Sequence, residues 1–262
     1  MGILNITPDS FSDGGVYNTA DGMISRIEEF IRCGVDIADI GGESTRPGSE
    51  FINEQEELAR VLPAVSLAAS NGLFVSVDTN KPYVAEEALK LGAGMINDIT
   101  GLRDVNMRKI CAEYGCSVCI MHMLGEPKSM QNNPIYNDVV DDVRRYLLEA
   151  AESCIKDGID ERSICIDPGF GFGKTFEDNY RLLRELERLK EAGFPILVGV
   201  SRKSMIGGAV NRPATERLAG TLAAETIALM NGADIIRAHD IEETSDIIKI
   251  YTAAYRGHGT DA

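Results

Sequence analysis

The sequence lacks a basic excess, a long apolar run and a cysteine framework, and each absence removes a class of function. Of its 262 residues, 41 are acidic and 26 basic, a formal charge of −15 at pH 7. Nucleic-acid binders usually show a basic excess or stripe, and an anionic membrane surface repels such a chain. No apolar run reaches the ~18 residues of a membrane span. The opening MGILNITPDS has neither the basic region nor the apolar core of a signal peptide. The six cysteines (Cys33, Cys111, Cys116, Cys119, Cys154 and Cys165) form no disulfide framework, and a chain of this length does not depend on one. They suit a reducing cytoplasm. Cys116 and Cys119 make a CxxC, but no second ligand pair follows it. On a strand, residues three apart point to opposite faces, so these thiols read as small buried hydrophobes. No Pro/Gly/Ser linker divides the chain.

What is present is a repeating pattern in an ordinary globular composition, 44% hydrophobic and 26% charged. Eight short apolar runs rich in β-branched residues predict strands over Ile3–Thr7, Ile37–Gly41, Leu73–Asp78, Met95–Ile99, Ser117–Met123, Ser163–Asp167, Ile196–Ser201 and Ile235–His239. Helical periodicity fills stretches between them, including Ile24–Cys33, Glu54–Ser70, Tyr83–Leu91, Asp138–Asp157, Asn179–Glu191 and Thr215–Asn231, with Glu242–Tyr255 after the last strand. Alternating units of this kind predict a parallel sheet covered on both faces. Gly34, Gly72, Gly92, Gly115, Gly158, Gly193 and Gly232 stand just before the seven internal strands, where a chain leaving a helix needs a left-handed residue. Eight units and a length near the ~250 residues typical of the fold favour a single-domain (β/α)8 TIM barrel, with a doubly wound sheet as the alternative. The chain begins almost directly in its first strand, which leaves little to close the bottom of a barrel and leaves room for a preceding segment. Residues 1–256 are read as one domain and 257–262 as a disordered tail.

Chemistry in such barrels gathers at the C-terminal ends of the strands. In order, those ends carry Asn5, Asp39, Asp78, Asn97 with Asp98, His122, Asp167, the segment SRKS with Lys203 and Ser204, and Arg237 with His239 and Asp240. One aspartate at a strand end is an ordinary helix cap; eight convergent polar ends describe a site. Asp78, Asn97 and Asp167 offer acceptors and an amide to a flat polar heterocycle with N–H donors and a carbonyl. Arg46, Lys203, Arg237 and His239 supply cations suited to a phosphate or pyrophosphate. The loops after strands one and two, with Thr7, Asp9, Ser10, Thr45 and Arg46, have the composition of lids that assemble a site on binding.

The glycine-rich PGFGFGKT is not a P-loop, because Pro168 stands where that pattern needs its first glycine. It reads as a close-approach loop, bringing Asp167 and Phe172 near a ligand. SRKS opens the seventh helix, where Ser204 and backbone N–H groups serve an anion, a helix cap, or both. His122 has no metal-ligand company and reads as a core or loop-ordering residue, and Met121, Met123 and Met130 read as packing. No Ser–His or Cys–His pair offers a nucleophile.

The ordered set GILNITPDSFSDGG, DIGGESTRPG, SVDTNKP, INDITG, MHMLGEPKSMQ, DPGFGFGKT, VGVSRKSMIG and RAHD closely resembles the dihydropteroate synthases of folate biosynthesis. The matches run from Gly2 to Asp240 in the family's order. The resemblance implies a pterin-binding TIM barrel that is cytoplasmic, a homodimer and a sulfonamide target. It implies a Mg2+-using transferase that condenses 6-hydroxymethyl-7,8-dihydropterin pyrophosphate with p-aminobenzoate, giving 7,8-dihydropteroate and pyrophosphate. By motif position, Asp78, Asn97, Asp167 and Lys203 bind the pterin. Arg237 packs on its ring, and Arg237 with His239 meets the pyrophosphate. Asn5 contacts the Mg2+ on that pyrophosphate. Thr45 and Arg46 come from the second lid. Ser204 holds the p-aminobenzoate carboxylate, and Phe172 and Pro47 line that pocket. Asp78, Asp167, Lys203, Arg237 and His239 form the implied catalytic group. Ala38 and Ala238 stand where larger apolar residues are usual.

Two other functions share parts of this pattern. A pterin-binding methyltransferase that serves a corrinoid protein uses the barrel and its pterin-binding Asp and Asn, but has no need of SRKS or the STRP lid. A non-catalytic paralogue would bind a pterin without turnover, which the intact set of groups disfavours.

Overall fold

The computed structural model describes residues 1–7, 19–44, 51–125, 130 and 134–255. Strands β1 (Gly2–Asn5), β2 (Ile37–Gly41), β3 (Phe74–Asp78), β4 (Met95–Asp98), β5 (Ser117–Met121), β6 (Ile164–Asp167), β7 (Leu197–Val198) and β8 (Ile235–Ile236) alternate with helices. The helices are α1 (Ala20–Cys33), α2 (Glu54–Ser70), α3 (Pro82–Lys90), α4 (Val105–Tyr114), α5 (Val139–Lys156), α6 (Phe176–Arg184), α7 (Ser204–Val210), α8 (Leu218–Met230) and α9 (Ile241–Tyr255).

β1 to β6 pair in parallel in chain order, and β7 pairs with β8. Single bridges close the remaining two seams, Ile166 with Ile196 and Gly2 with Ala238. Hydrogen bonds support both: Ile166 N to Pro195 O at 2.9 Å, Ile3 N to Ala238 O at 3.1 Å and Ala238 N to Met1 O at 3.0 Å. The sheet therefore returns to its first strand, and the fold is the (β/α)8 barrel.

Alternation along the strands sorts the residues into two sets. The outward set, such as Leu4, Ile40, Val77, Ile96, Ile120 and Ile166, joins the helices in one continuous core. The inward set changes character along the barrel axis. Near the N-terminal ends of the strands, Met95, Cys119, Cys165 and Leu197 form a separate apolar plug with Met1 and Ile235. Towards the C-terminal ends, the same inward phase carries Asp39 opposite Ser76, then Asp78 opposite Asn97. Cys116 lies in the outer core and Cys119 in the inner plug, so the CxxC thiols face opposite ways.

All seven junction glycines have positive φ, between 61 and 101°. The last two strands are shorter than the sequence suggests, because side chains replace the ladder beyond them. Arg202 turns left-handed at φ 56°, and the His239 N–H donates to Ser201 Oγ at 3.2 Å. The stretch Asn179–Glu191 divides. α6 starts earlier, at a Thr175–Asp178 capping box, and a 3-10 segment follows over Leu186–Ala192. α4 was not among the periodic stretches singled out, and it buries only Met107 and Cys111, too few to mark a face.

Candidate active site

The inward polar residues assemble around Asp39, which is fully buried on β2. Its carboxylate accepts from Ser76 Oγ at 2.7 Å, from Asn97 Nδ2 at 3.3 Å and from Arg237 Nε at 2.6 Å. A buried carboxylate needs such donors, since its desolvation otherwise costs several kcal/mol (about). Arg237 spans two acids: Nη2 donates to Asp78 Oδ2 at 2.8 Å. One guanidinium thus serves both carboxylates. Burial raises Asp78 to about 7, Arg237 opposes the rise, and the charge of Asp39 adds to it. With Nδ2 committed to Asp39, the Asn97 amide oxygen is left for other donors.

The β6–α6 loop supplies the opposite wall. Asp167 Oδ1 accepts from Gly169 N at 2.7 Å, closing a tight turn after the strand. Gly169 has φ +68°, and a Cβ there would lie 1.9 Å from the His122 carbonyl oxygen, so only glycine fits. Burial raises the Asp167 carboxyl, while Lys203 pulls it down. Lys203 donates to the Phe170 carbonyl, and its ammonium sits 4.7 Å from the centre of the Phe172 ring. Burial lowers Lys203 to about 8 against the opposing charge of Asp167. Phe172 packs on the cluster of Ile99, Met121, Met123 and Met130.

The β7 and β8 ends complete the ring. His239 Nδ1 lies 3.0 Å from Ser201 Oγ, so the fold does bring a serine and a histidine together where the sequence showed no such pair; Ser201 Oγ also accepts from the His239 N–H at 3.2 Å. The His239 carbonyl accepts from Arg26 of α1 at 2.6 Å. Arg202 and Asp240 form an ion pair beside it, with Nε to Oδ2 at 2.9 Å. Ser204 is exposed at the first position of α7, and Lys203 occupies the cap position without a side-chain cap bond. The expected capping role for Ser204 is therefore not realised, because the serine lies one residue too late to reach back to the helix N–H groups.

The ring thus faces acceptors on β3, β4 and β6 with cations on β7 and β8. Such an arrangement can hold a polar heterocycle by its N–H groups and receive an anionic substituent at one side. The chain matches the family model described as pterin binding enzyme over residues 1–239. It is 47% identical over 254 residues to a dihydropteroate synthase of Escherichia coli, spanning 97% of this chain and 90% of that one. It also resembles the solved dihydropteroate synthase of Yersinia pestis in complex with a sulfonamide drug, with TM-score 0.95, 45% identity, and coverage of 98% and 94%. The Thermus thermophilus enzyme in complex with 4-aminobenzoate matches with TM-score 0.87, 40% identity, and coverage of 97% and 93%.

The chain belongs to the dihydropteroate synthase family of pterin-binding enzymes.

Within this family fold, Asp78, Asn97, Asp167, Phe172, Lys203, Arg237 and His239 all sit at one end of the barrel. Thr45, Arg46 and Pro47 lie outside the described residues, as do Asp9 and Ser10 of the first loop. Asn5 stands at the end of β1, with Oδ1 3.4 Å from where a Gly41 Cβ would be. Its side chain has no hydrogen-bond partner among the described residues, so its amide oxygen is available. Among those residues no group of three or more His, Cys, Asp or Glu side chains is placed to hold a metal. His122 is buried, with burial lowering it to about 2, and its Nδ1 lies 2.9 Å from Lys174 Nζ, in keeping with a loop-ordering residue.

Sequence reasoning left three participants off its site: Asp39, Ser201 and Lys174. Asp39 was visible as a strand-end acid, and its phase with Gly41 marks it as inward. Ser201 lies inside SRKS and Lys174 inside PGFGFGKT, where a tight turn leaves the lysine unexplained; the role of each depends on a partner distant in the chain, His239 and His122.

Proposed function

We propose that this chain condenses 6-hydroxymethyl-7,8-dihydropterin pyrophosphate with p-aminobenzoate, using the ring of strand-end groups just described. The observation that carries this reading is the opposition of Asp78, Asn97 and Asp167 to Lys203, Arg237 and His239 within one barrel mouth. Asp78, Asn97 and Asp167 accept from and orient the pterin, together with Lys203. Pterin N–H donors at Asp78 compete with Arg237 and free one arm of its fork towards the pyrophosphate, which His239 also meets. The bond from the pterin methylene carbon to the pyrophosphate oxygen breaks. The C–O bonding pair leaves with the pyrophosphate, and the aniline nitrogen of p-aminobenzoate forms the new C–N bond and releases its proton to solvent water. Asp78 and Asp167 stabilise positive charge on the pterin, while Arg237 and His239 stabilise the departing anion. Ser204, exposed at the start of α7, holds the p-aminobenzoate carboxylate, with Phe172, Pro47 and the Thr45–Arg46 lid around it.

Mg2+ fits this donor set. It dehydrates reluctantly and is commonly held by one or two protein oxygens plus substrate phosphates and water, and Asn5 offers one free amide oxygen at the barrel mouth. The ion would supply charge stabilisation to the leaving group. The reading places the barrel domain through residue 256 in the cytoplasm, in keeping with six free thiols and with no described helix long and apolar enough to cross a membrane. A second copy of the chain is the proposed partner. α8 is largely apolar and leaves Ile227 and Met230 exposed. Sedimentation velocity at micromolar concentration tests that pairing, and a single monomer boundary refutes it.

The deciding assay follows pyrophosphate release from the dihydropterin pyrophosphate with Mg2+, with and without p-aminobenzoate. Release that requires p-aminobenzoate and yields dihydropteroate is expected. Tight pterin binding with no release would instead assign a non-catalytic role.

A further inference from the structure

Lys174 is buried, with only 3% of its surface exposed, and no step above uses it. It lies on the β6–α6 loop, beneath the wall that carries Asp167 and Phe172. Its Nζ has three neighbours in hydrogen-bond range: His122 Nδ1 at 2.9 Å, the Gly169 carbonyl at 2.9 Å and the Phe172 carbonyl at 3.1 Å. An ammonium has three N–H donors and no acceptor, so three acceptors satisfy it completely. His122 is held neutral, which leaves Nδ1 free to accept when Nε2 carries the proton.

The rest of the loop is pinned by separate bonds. Gly169 N reaches Asp167, Phe172 N reaches the Gly169 carbonyl at 3.1 Å, His122 N reaches the Asp167 carbonyl at 2.9 Å, Gly171 N reaches Asn179 Oδ1 at 2.7 Å, and the Gly173 carbonyl accepts from Tyr136 at 2.6 Å. Lys203 holds the Phe170 carbonyl. Among the described residues, Lys174 alone ties two carbonyls of this loop to the neighbouring β5 end at one atom.

We propose that Lys174 is a positioning residue: its buried ammonium clamps Gly169 and Phe172 against His122, and so fixes Asp167 and Phe172 for the two substrates. The proposal rests on the functional reading above and deepens it. The uncharged amine keeps only two N–H donors, and these are no longer charge-assisted; His122 must switch to its Nδ1–H tautomer to donate to the amine lone pair, so losing the proton weakens every bond of the clamp and loosens the wall. Burial lowers Lys174 to about 7, with Asp167 opposing and Lys203 adding to the fall. The charged groups facing the pair are Asp167, Lys203 and Asp178 around Lys174, and Arg103 near His122. The clamp therefore works best below about pH 7 and weakens above it.

The test compares wild type, K174M, H122N and H122L, all as full chains. Two readouts are taken between pH 6 and 9: KM for p-aminobenzoate against kcat, and amide hydrogen exchange of residues 169–174. In K174M, KM for p-aminobenzoate should rise on the order of tenfold at pH 6.5, as expected when a substrate wall is misplaced by a fraction of an ångström. kcat at saturation should change less. The KM ratio of K174M to wild type should shrink towards 1 as pH rises. Exchange should quicken at 169–174 and not across the barrel. H122N retains an acceptor near Nδ1 and should stay close to wild type, whereas H122L should behave like K174M; this pair decides the matter if K174M does not fold.

Unchanged KM and unchanged local exchange in K174M, or equal behaviour of H122N and H122L, overturns the proposal. A wild type that releases no pyrophosphate, with K174M still exchanging faster at 169–174, rejects the functional reading and leaves the clamp standing.

Discussion

Asp167 shows how much one side chain carries at this site. Its carboxylate closes the turn at Gly169, faces Lys203 and points into the mouth of the barrel. Replacing it with alanine removes a charged acceptor worth about 1.5–3 kcal/mol per hydrogen bond, and two such bonds to a pterin amount to roughly 100-fold or more in affinity. Titration calorimetry of D167A with the dihydropterin pyrophosphate is expected to show that loss. Unchanged affinity with slow turnover would move Asp167 from binding to the chemical step. Asp39 stands differently. It is buried, already satisfied by Ser76, Asn97 and Arg237, and it acts by aiming the last two. A strand-end aspartate can be read in either role from the chain alone. The pairing separates them, since it depends on which neighbours the register brings within about 3 Å.

At the scale of elements, the weak points of the barrel are its two single-bridge seams. At the β8–β1 seam, Arg26 of α1 compensates. Its Nε and Nη2 donate to the Ile3 carbonyl at 3.3 and 3.2 Å, and Nη2 also reaches the His239 carbonyl. The guanidinium stitches the outer helix to both strands and sets the backbone that carries His239. R26M keeps the stem and removes the donors. It should cost roughly 2–4 kcal/mol by leaving buried carbonyls unpaired, which lowers the melting temperature by several degrees. Differential scanning calorimetry checks this; an unchanged Tm would show that the bridges suffice. The strand and helix pattern itself was legible, because outward apolar residues and junction glycines repeat in every unit. α4 escaped notice because its buried face is only two residues wide. The ends of β7 and β8 escaped because Ser201 and the turn at Arg202 replace ladder bonds there.

For the molecule as a whole, an acid buried between α8 and α9 sets part of the pH response of folding. Glu225 of α8 is fully buried, with one carboxylate oxygen accepting from Thr244 at 2.9 Å and the other without a partner among the described residues. Burial raises it from 4.5 to about 8; the Thr244 bond opposes this and Asp240 adds to it. Between those two values the folded protein holds a proton that the unfolded chain has released. Stability from this group is therefore fully present below about pH 4.5 and lost as pH rises to about 8. E225Q removes the titration. Relative to wild type, it should gain on the order of 2–4 kcal/mol between pH 5 and 8, read from urea midpoints at each pH. Parallel profiles for the two proteins would place the proton elsewhere.

Local periodicity and backbone sterics set the alternation of units, the turn at each junction and the polar residues at the strand ends, so all three are legible along the chain. The ordered motifs also carried the family. Tertiary structure alone decided which of those residues meet. Arg237 and Asp39 are 198 positions apart, and they touch only because the barrel closes and the register sets both on its inner face. Lys174 became a buried clamp for the same reason, since His122 directly follows β5, which lies beside the strand that leads into its loop. Local propensity specifies elements, whereas contacts across a closed sheet depend on a register and closure that no short stretch of chain encodes.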